Sequence, residues 1–142
     1  MFKISKNQVI YAMDPTNAPV LTVDPKSQIE FETCDALSGQ IKSATDQFNA
    51  LDWNRVNPAT GPVYINGAEP GDILSVKIEK IEIANVGVTI TGKNMGVLGH
   101  ILEENSIKVI PIENNMATFS ENIRLPLNKM IGVIGTHLRV KQ

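Results

Sequence analysis

The sequence predicts an all-β protein, a β-sandwich or jelly-roll-like domain of short strands with one short helix. Two observations carry this. Short runs alternate apolar and polar residues, which is the period of a half-buried strand. Between them Pro, Gly, Asn and Asp recur every few residues, as turns require. A third observation excludes the main rival: the regular strand–helix alternation of a doubly wound sheet is absent.

Taken in order, FKIS (residues 2–5) and VIYAM (9–13) read as a hairpin around Lys6, Asn7 and Gln8. A second extended piece covers 19–23, ended by Asp24 and Pro25. SQIEFET (27–33) alternates, with Ile29, Phe31 and Thr33 on one face. SATDQFNALDWN (43–54) loses the period of two and predicts a short helix capped by Ser43 or Thr45, gathering Phe48, Leu51 and Trp53. DILSVKIEKIEIAN (72–85) is the clearest strand pattern, with a slip read as a bulge. VGVTIT (86–91) follows as a strand, then a glycine-containing loop over 92–100. Residues 106–112 and 116–119 flank Glu113, Asn114 and Asn115, a strong hairpin signal. Short strands over 123–125 and 130–134 complete the reading.

With 142 residues the chain fits one domain and has enough length for a core. A hydrophobic fraction of 42% argues against disorder. The formal charge of -2, without a cluster of basic residues in the body of the chain, disfavours nucleic acid as a partner. No apolar run reaches membrane-spanning length, and the first residues lack a secretory pattern. A single cysteine, Cys34, forbids an internal disulfide and fits a reducing, cytoplasmic setting. It reads as a small packed side chain rather than a nucleophile.

The motif search narrows the chemistry. No phosphate loop occurs, and Gly92, Gly96 and Gly99 read as a flexible turn. GxSxG is absent, and His100 and His137 have no metal-ligand spacing between them. Both histidines read as surface residues. Glu32 and Asp35 sit at the end of an alternating strand. Carboxylates there either hold an ion or water, or simply end the strand in a turn. The most constrained segment is NPATGPVYINGAEPGD (57–72). Pro58, Pro62 and Pro70 fix φ, while Gly61, Gly67 and Gly71 permit positive φ. Such a loop suits either a rigid site presenting Asn57 and Thr60 or a well-made turn, and the residues alone leave both open.

Three of these segments resemble one family. NPATGPVYINGAEPGDIL resembles the signature NP-x-T-GP-x-x-(V/I)-x-GAEPGD-x-L of the acetamidase/formamidase family. FETCDALSGQ (31–40) is similar to its FET-x-DA-x-x-GQ segment, and residues 110–135 to its hairpin and P-x-x-x-MIGVIG run. The resemblance implies a β-rich amidase acting on linear amide C–N bonds, hydrolysing short aliphatic amides such as formamide and acetamide to ammonia and a carboxylate. It implies a divalent metal, with zinc the first candidate. The family's GGN-x-D and GD-x-HAA-x-GDGE motifs do not occur here, so the metal ligands are expected mostly outside this sequence. Residues 1–135 therefore read as the N-terminal portion of such a domain, truncated relative to the full-length family, and 136–142 as a divergent tail. Carried over residue by residue, Asp35, Asn57 and Thr60 are the catalytic candidates, with Asp35 first. Glu32, Gly61, Gly67, Gly71 and Asp72 are the substrate-loop scaffold. The expected partners are a small amide and either a second copy of the chain or a complementing C-terminal chain. A non-catalytic remnant, one subunit of a split enzyme and, last, a sugar-binding β module are the rival readings. The last is disfavoured by an aromatic content of 5%.

Overall fold

The computed structural model of the protein describes residues 1–136. The readings of His137 and of the tail beyond Thr136 lie outside the described residues. The chain is all-β, as expected, with ten short strands and only 3-10 turns between them among the described residues. Its contacts divide it into two compact units. The first combines Met1–Gly39, Asp52–Ile78 and the described residues from Ile131 on; the second combines Gln40–Leu51 and Glu79–Met130.

Three two-stranded ladders build the first unit. Strand β1 (Phe2–Ile4) pairs in parallel with β4 (Ile29–Phe31), in the register Lys3 to Glu30 and Ile4 to Phe31. That register is reinforced by charge: Lys3 Nζ lies 2.8 Å from Glu30 and 2.9 Å from Glu32. Period two then turns Ile4 to the opposite face, where it is 1% exposed. Strand β2 (Val9–Ile10) pairs antiparallel with β5 (Ala59–Thr60). Strand β3 (Leu21–Val23) pairs in parallel with β6 (Val63–Ile65), burying Val23. Asn66 closes that ladder, its backbone N–H reaching Val23 O at 2.8 Å and its amide reaching Asp24 Oδ1 at 2.8 Å.

The second unit holds a four-stranded antiparallel meander in the order β10-β9-β8-β7. Its strands are β7 (Val86–Thr91), β8 (Ser106–Glu113), β9 (Met116–Ser120) and β10 (Ile123–Pro126). The β8–β9 turn is the predicted one: Asn114 and Asn115 both take positive φ, 51° and 60°, as a two-residue hairpin turn demands. Across it Lys108 Nζ sits 3.9 Å above the Phe119 ring. The turn over 92–100 is tighter than a flexible loop. Asn94 N–H donates to Gly99 O at 2.8 Å, and a Cβ on Gly99 would lie 2.7 Å from the Asn94 backbone.

Four expectations are corrected. Residues 2–5 and 9–13 do not pair with each other; β1 and β2 take partners from distant parts of the chain. The helix over 43–54 is replaced by 3-10 turns at Phe48–Ala50 and Trp53–Arg55. Side chains there compete for the backbone: Asp46 accepts from Lys42 and Ser43 N–H at 2.6 and 3.0 Å, and Asp52 from Asn54 N–H at 3.0 Å. Residues 72–85 belong to no strand, and neither do 130–134. Alternation sets the faces of an extended chain, and none of the four sheets among the described residues includes 72–85.

Only Ile4, Val23, Ile41 and Leu51 are buried apolar side chains among the described residues. With so little core, each matters. Ile4→Ala is expected to cost about 2–4 kcal/mol through lost burial and the cavity left behind. Ile73→Ala, at a position 95% exposed, should change stability by less than about 0.5 kcal/mol. Urea unfolding of both variants checks the pair.

Candidate functional site

Two of the sequence motifs lie side by side in the first unit. The segments 32–38 and 55–60 are joined by three hydrogen bonds. Asn57 N–H donates to Ala36 O at 2.7 Å, Ser38 Oγ to Arg55 O at 2.6 Å, and Thr60 Oγ1 to Glu32 O at 2.8 Å. Gly61 N–H adds a fourth bond, to Gln8 O at 2.9 Å, and so ties the β2 end of the unit to the same clamp.

Each predicted residue has a definite place. Asp35 holds its own turn: its carboxylate accepts from Leu37 N–H at 2.7 Å and from Gly39 N–H at 2.9 Å. Ser38 and Gly39 complete that turn with φ of 54° and 68°. Asn57 also takes a left-handed conformation, φ 53°, which asparagine tolerates better than most residues. Thr60 uses its hydroxyl to position the 32–38 segment. Glu32 is engaged with Lys3, whose ammonium holds the Glu32 carboxyl below its ordinary range by hydrogen bonding first and charge second. The same two glutamates raise Lys3.

The glycines serve geometry. Gly61, Gly67 and Gly71 have φ of 129°, 75° and 103°, where a side chain would be strained. Gly67, Gly71 and Asp72 are not part of the clamp. Asp72 closes a separate turn, its carboxylate accepting from Glu69 N–H at 2.8 Å and its own N–H reaching Glu69 O at 3.1 Å.

Beside the clamp lies a pocket of about 210 Å³, lined by Tyr11, Met13, Asn57 and Val133 among others. It is smaller than the roughly 300–1,000 Å³ that holds drug-sized ligands, so it suits a molecule of a few heavy atoms. No sequence signal points to Tyr11, which falls in a run that reads as strand. Its hydroxyl is 3.4 Å from Ser38 Oγ. Ser38 and, after it, the Arg55 side chain hydrogen-bond the Tyr11 hydroxyl and hold it below the ordinary phenol range. Asn57 adds a carboxamide, both donor and acceptor. Among the described residues no group of three or more His, Cys, Asp or Glu is arranged to hold a metal ion.

The model of the Acetamidase/Formamidase family matches residues 5–139. An acetamidase from Bacillus halodurans superposes with a TM-score of 0.93 at 39% identity, over 96% of this chain and 46% of its own. A predicted acetamidase/formamidase from Thermoanaerobacter tengcongensis gives 0.85 at 44% identity, over 88% of this chain and 42% of its own. An acetamidase from Yersinia enterocolitica gives 0.73 at 28% identity, with the same coverages of 88% and 42%. The chain thus spans less than half the length of these solved relatives.

Two outcomes test the assignments of this site. Asp35→Ala leaves two turn amides without their acceptor and is expected to destabilise the chain by about 1 kcal/mol in urea unfolding. Glu32 should titrate below an ordinary glutamate when followed by carboxyl NMR, and Lys3→Met should move its midpoint up. Because the folded pKa is depressed, the stabilisation is present above the ordinary glutamate range and is lost as pH falls through the lowered value. Both side chains are exposed, so the effect on stability is small.

Proposed function

The chain belongs to the acetamidase/formamidase family, and from that premise we propose that it carries the substrate-positioning side of a hydrolase for short aliphatic amides. The observation that carries the reading is the clamp, which brings the family-like segments 31–40 and 57–72 together beside a pocket of small-molecule size. The reaction is cleavage of a linear amide C–N bond by water, giving a carboxylate and ammonia, with formamide and acetamide as the expected substrates.

The polar groups at the pocket match a primary amide. The Asn57 carboxamide offers an N–H to the substrate carbonyl, where negative charge builds as water adds. The Tyr11 hydroxyl, held by Ser38 and the Arg55 side chain, is the second polar group facing the amide. Asp35, Thr60, Gly39 and Gly61 keep Asn57 in place, so they act on the substrate only through geometry. The described residues do not fit a metal cage, and none of these roles runs through a metal. Ligands for a divalent ion such as zinc would come from polypeptide outside them. A cytoplasmic setting, in keeping with the free thiol of Cys34, belongs to the same proposal.

Acetamide titration followed by amide NMR tests the positioning role without needing turnover. Saturable shifts at Tyr11 and Asn57 are expected, and Asn57→Ala should weaken binding at least about tenfold, the loss of one hydrogen bond of roughly 1.4 kcal/mol. Shifts confined to other residues, or none, would sink the assignment. Ammonia release from formamide and acetamide, with and without zinc, then tells a catalytic assembly from a binding remnant.

A further inference from the structure

The polar groups of the small pocket make only part of its wall. Tyr11 and Asn57 supply them, and the other side chains that line it are apolar, Met13 and Val133 chief among them. All of these residues belong to the first unit, so the pocket forms within one compact body. Its volume of about 210 Å³ exceeds what formamide or acetamide needs. At roughly 30 Å³ for a water-sized group, it has room for about seven such groups. The carbon, oxygen and nitrogen of a carboxamide take three of them. That leaves space for an alkyl tail of about four carbons.

Met13 is held in place through its backbone. Ala12 O accepts from Asp14 N–H at 3.0 Å and from the Asn17 carboxamide at 2.8 Å. The Asp14 carboxylate accepts from Thr16 N–H at 2.8 Å. From that turn the side chain reaches the 131–135 run. A Cβ added at Gly135 would lie 3.5 Å from Met13 Cε and 3.8 Å from its sulfur, which sets the thioether against residue 135, two positions beyond Val133. Met13 and Val133 therefore wall one pocket from opposite ends of the chain. Met13 is 42% exposed and Val133 37%, so an alkyl group seated against them takes apolar surface out of water. An unbranched thioether also adapts its shape to the group it meets.

We propose that Met13 and Val133 form an acyl-chain subsite and set the length of the amide this pocket prefers, an inference that rests on the amide reading of the same pocket. With the carboxamide held at Asn57 and Tyr11, the alkyl tail lies on Met13 and Val133. Formamide has no tail and leaves that wall wet. Propionamide and butyramide cover it, so they are the better ligands. Each added carbon gains about fourfold in affinity, equivalent to the roughly 0.8 kcal/mol of a buried CH2. From formamide to butyramide the gain is about 50-fold. A charged or hydroxylated tail loses this advantage, because it exchanges water for an apolar wall.

The test is a titration of the full chain with formamide, acetamide, propionamide and butyramide, followed by amide NMR. Saturable shifts at Tyr11 and Asn57 should recur with every amide, joined by shifts at Met13 and Val133 from acetamide onward. Butyramide should bind about 50-fold tighter than formamide. Met13→Ala should cut that ratio at least about fivefold, and Met13→Leu, which restores the hydrocarbon, should return it. Val133→Thr, near in shape but hydroxylated, should lower it as well. A ratio near one, or a ratio that Met13→Ala leaves intact, would overturn the subsite while the amide reading stands. Butanol, which has the tail and no carboxamide, separates the opposite case. If it binds at Met13 and Val133 as tightly as butyramide does, the apolar wall stands and the amide reading falls. If no amide binds, both fall.

Discussion

The bonds between segments 32–38 and 55–60 are the constraint on which the site depends. Neither segment is a long strand, and neither is shaped by local preference alone. Pro58 has no N–H to give and fixes its own φ. Asn57 must therefore turn the chain just before it, and its left-handed φ of 53° does so. That conformation aims its N–H at Ala36 O, 2.7 Å away. On the other side, Asp35 rigidifies the turn that presents Ala36 and Ser38. Remove either turn and the acceptor and donor no longer meet. Tyr11 then loses the Ser38 oxygen that orients its hydroxyl.

The ladders around this clamp are short, and their length limits what they stabilise. A two-stranded pair is marginal in water, since it buries little and leaves both edges open. The first unit has three such pairs, two of them parallel. Parallel pairing demands a long connection between partners, so the entropy of closing each loop opposes a ladder of only three residues. Charge at Lys3 and side-chain closure at Asn66 offset part of this. The meander of the second unit is different. Its strands are sequential, β8–β9 and β9–β10 are joined by tight turns, and β7–β8 runs six residues in register.

That contrast explains what the sequence disclosed. The Asn114–Asn115 turn was legible because its whole cause is local: two adjacent residues that accept positive φ between two alternating runs. The same holds for β7 and for the positive φ of Gly61, Gly67 and Gly71. The hairpin over 2–13 failed because nothing local says that β1 pairs with residues near 30 or β2 with residues near 60. Residues 72–85 show the converse. Their alternation is the clearest in the chain, yet periodicity records only which faces an extended chain would have, and not that a neighbour is present. Asn57, Thr60 and Asp35 were singled out through the family-like motifs. Tyr11 and Ser38 were not, because a hydroxyl becomes part of a site only when a fold brings its partner near, and residues 11 and 38 are far apart in sequence.

Asp35 shows how a candidate residue also holds its own motif in shape. Two of its lone pairs already accept N–H groups of its own turn, at 2.7 and 2.9 Å. A group that abstracts a proton in the reaction must reach that proton within hydrogen-bond distance, and Asp35 is aimed at Leu37 and Gly39 instead. Thr60 and Ser38 likewise direct their protons to backbone carbonyls. The Asn57 carboxamide takes part in none of these bonds, while the Tyr11 hydroxyl is held by Ser38 and the Arg55 side chain. In the proposed amidase these two groups orient the substrate; neither is a strong base. Orientation is therefore the contribution these residues are built to make, and the proton transfers of amide cleavage call for groups of another kind brought to the same pocket.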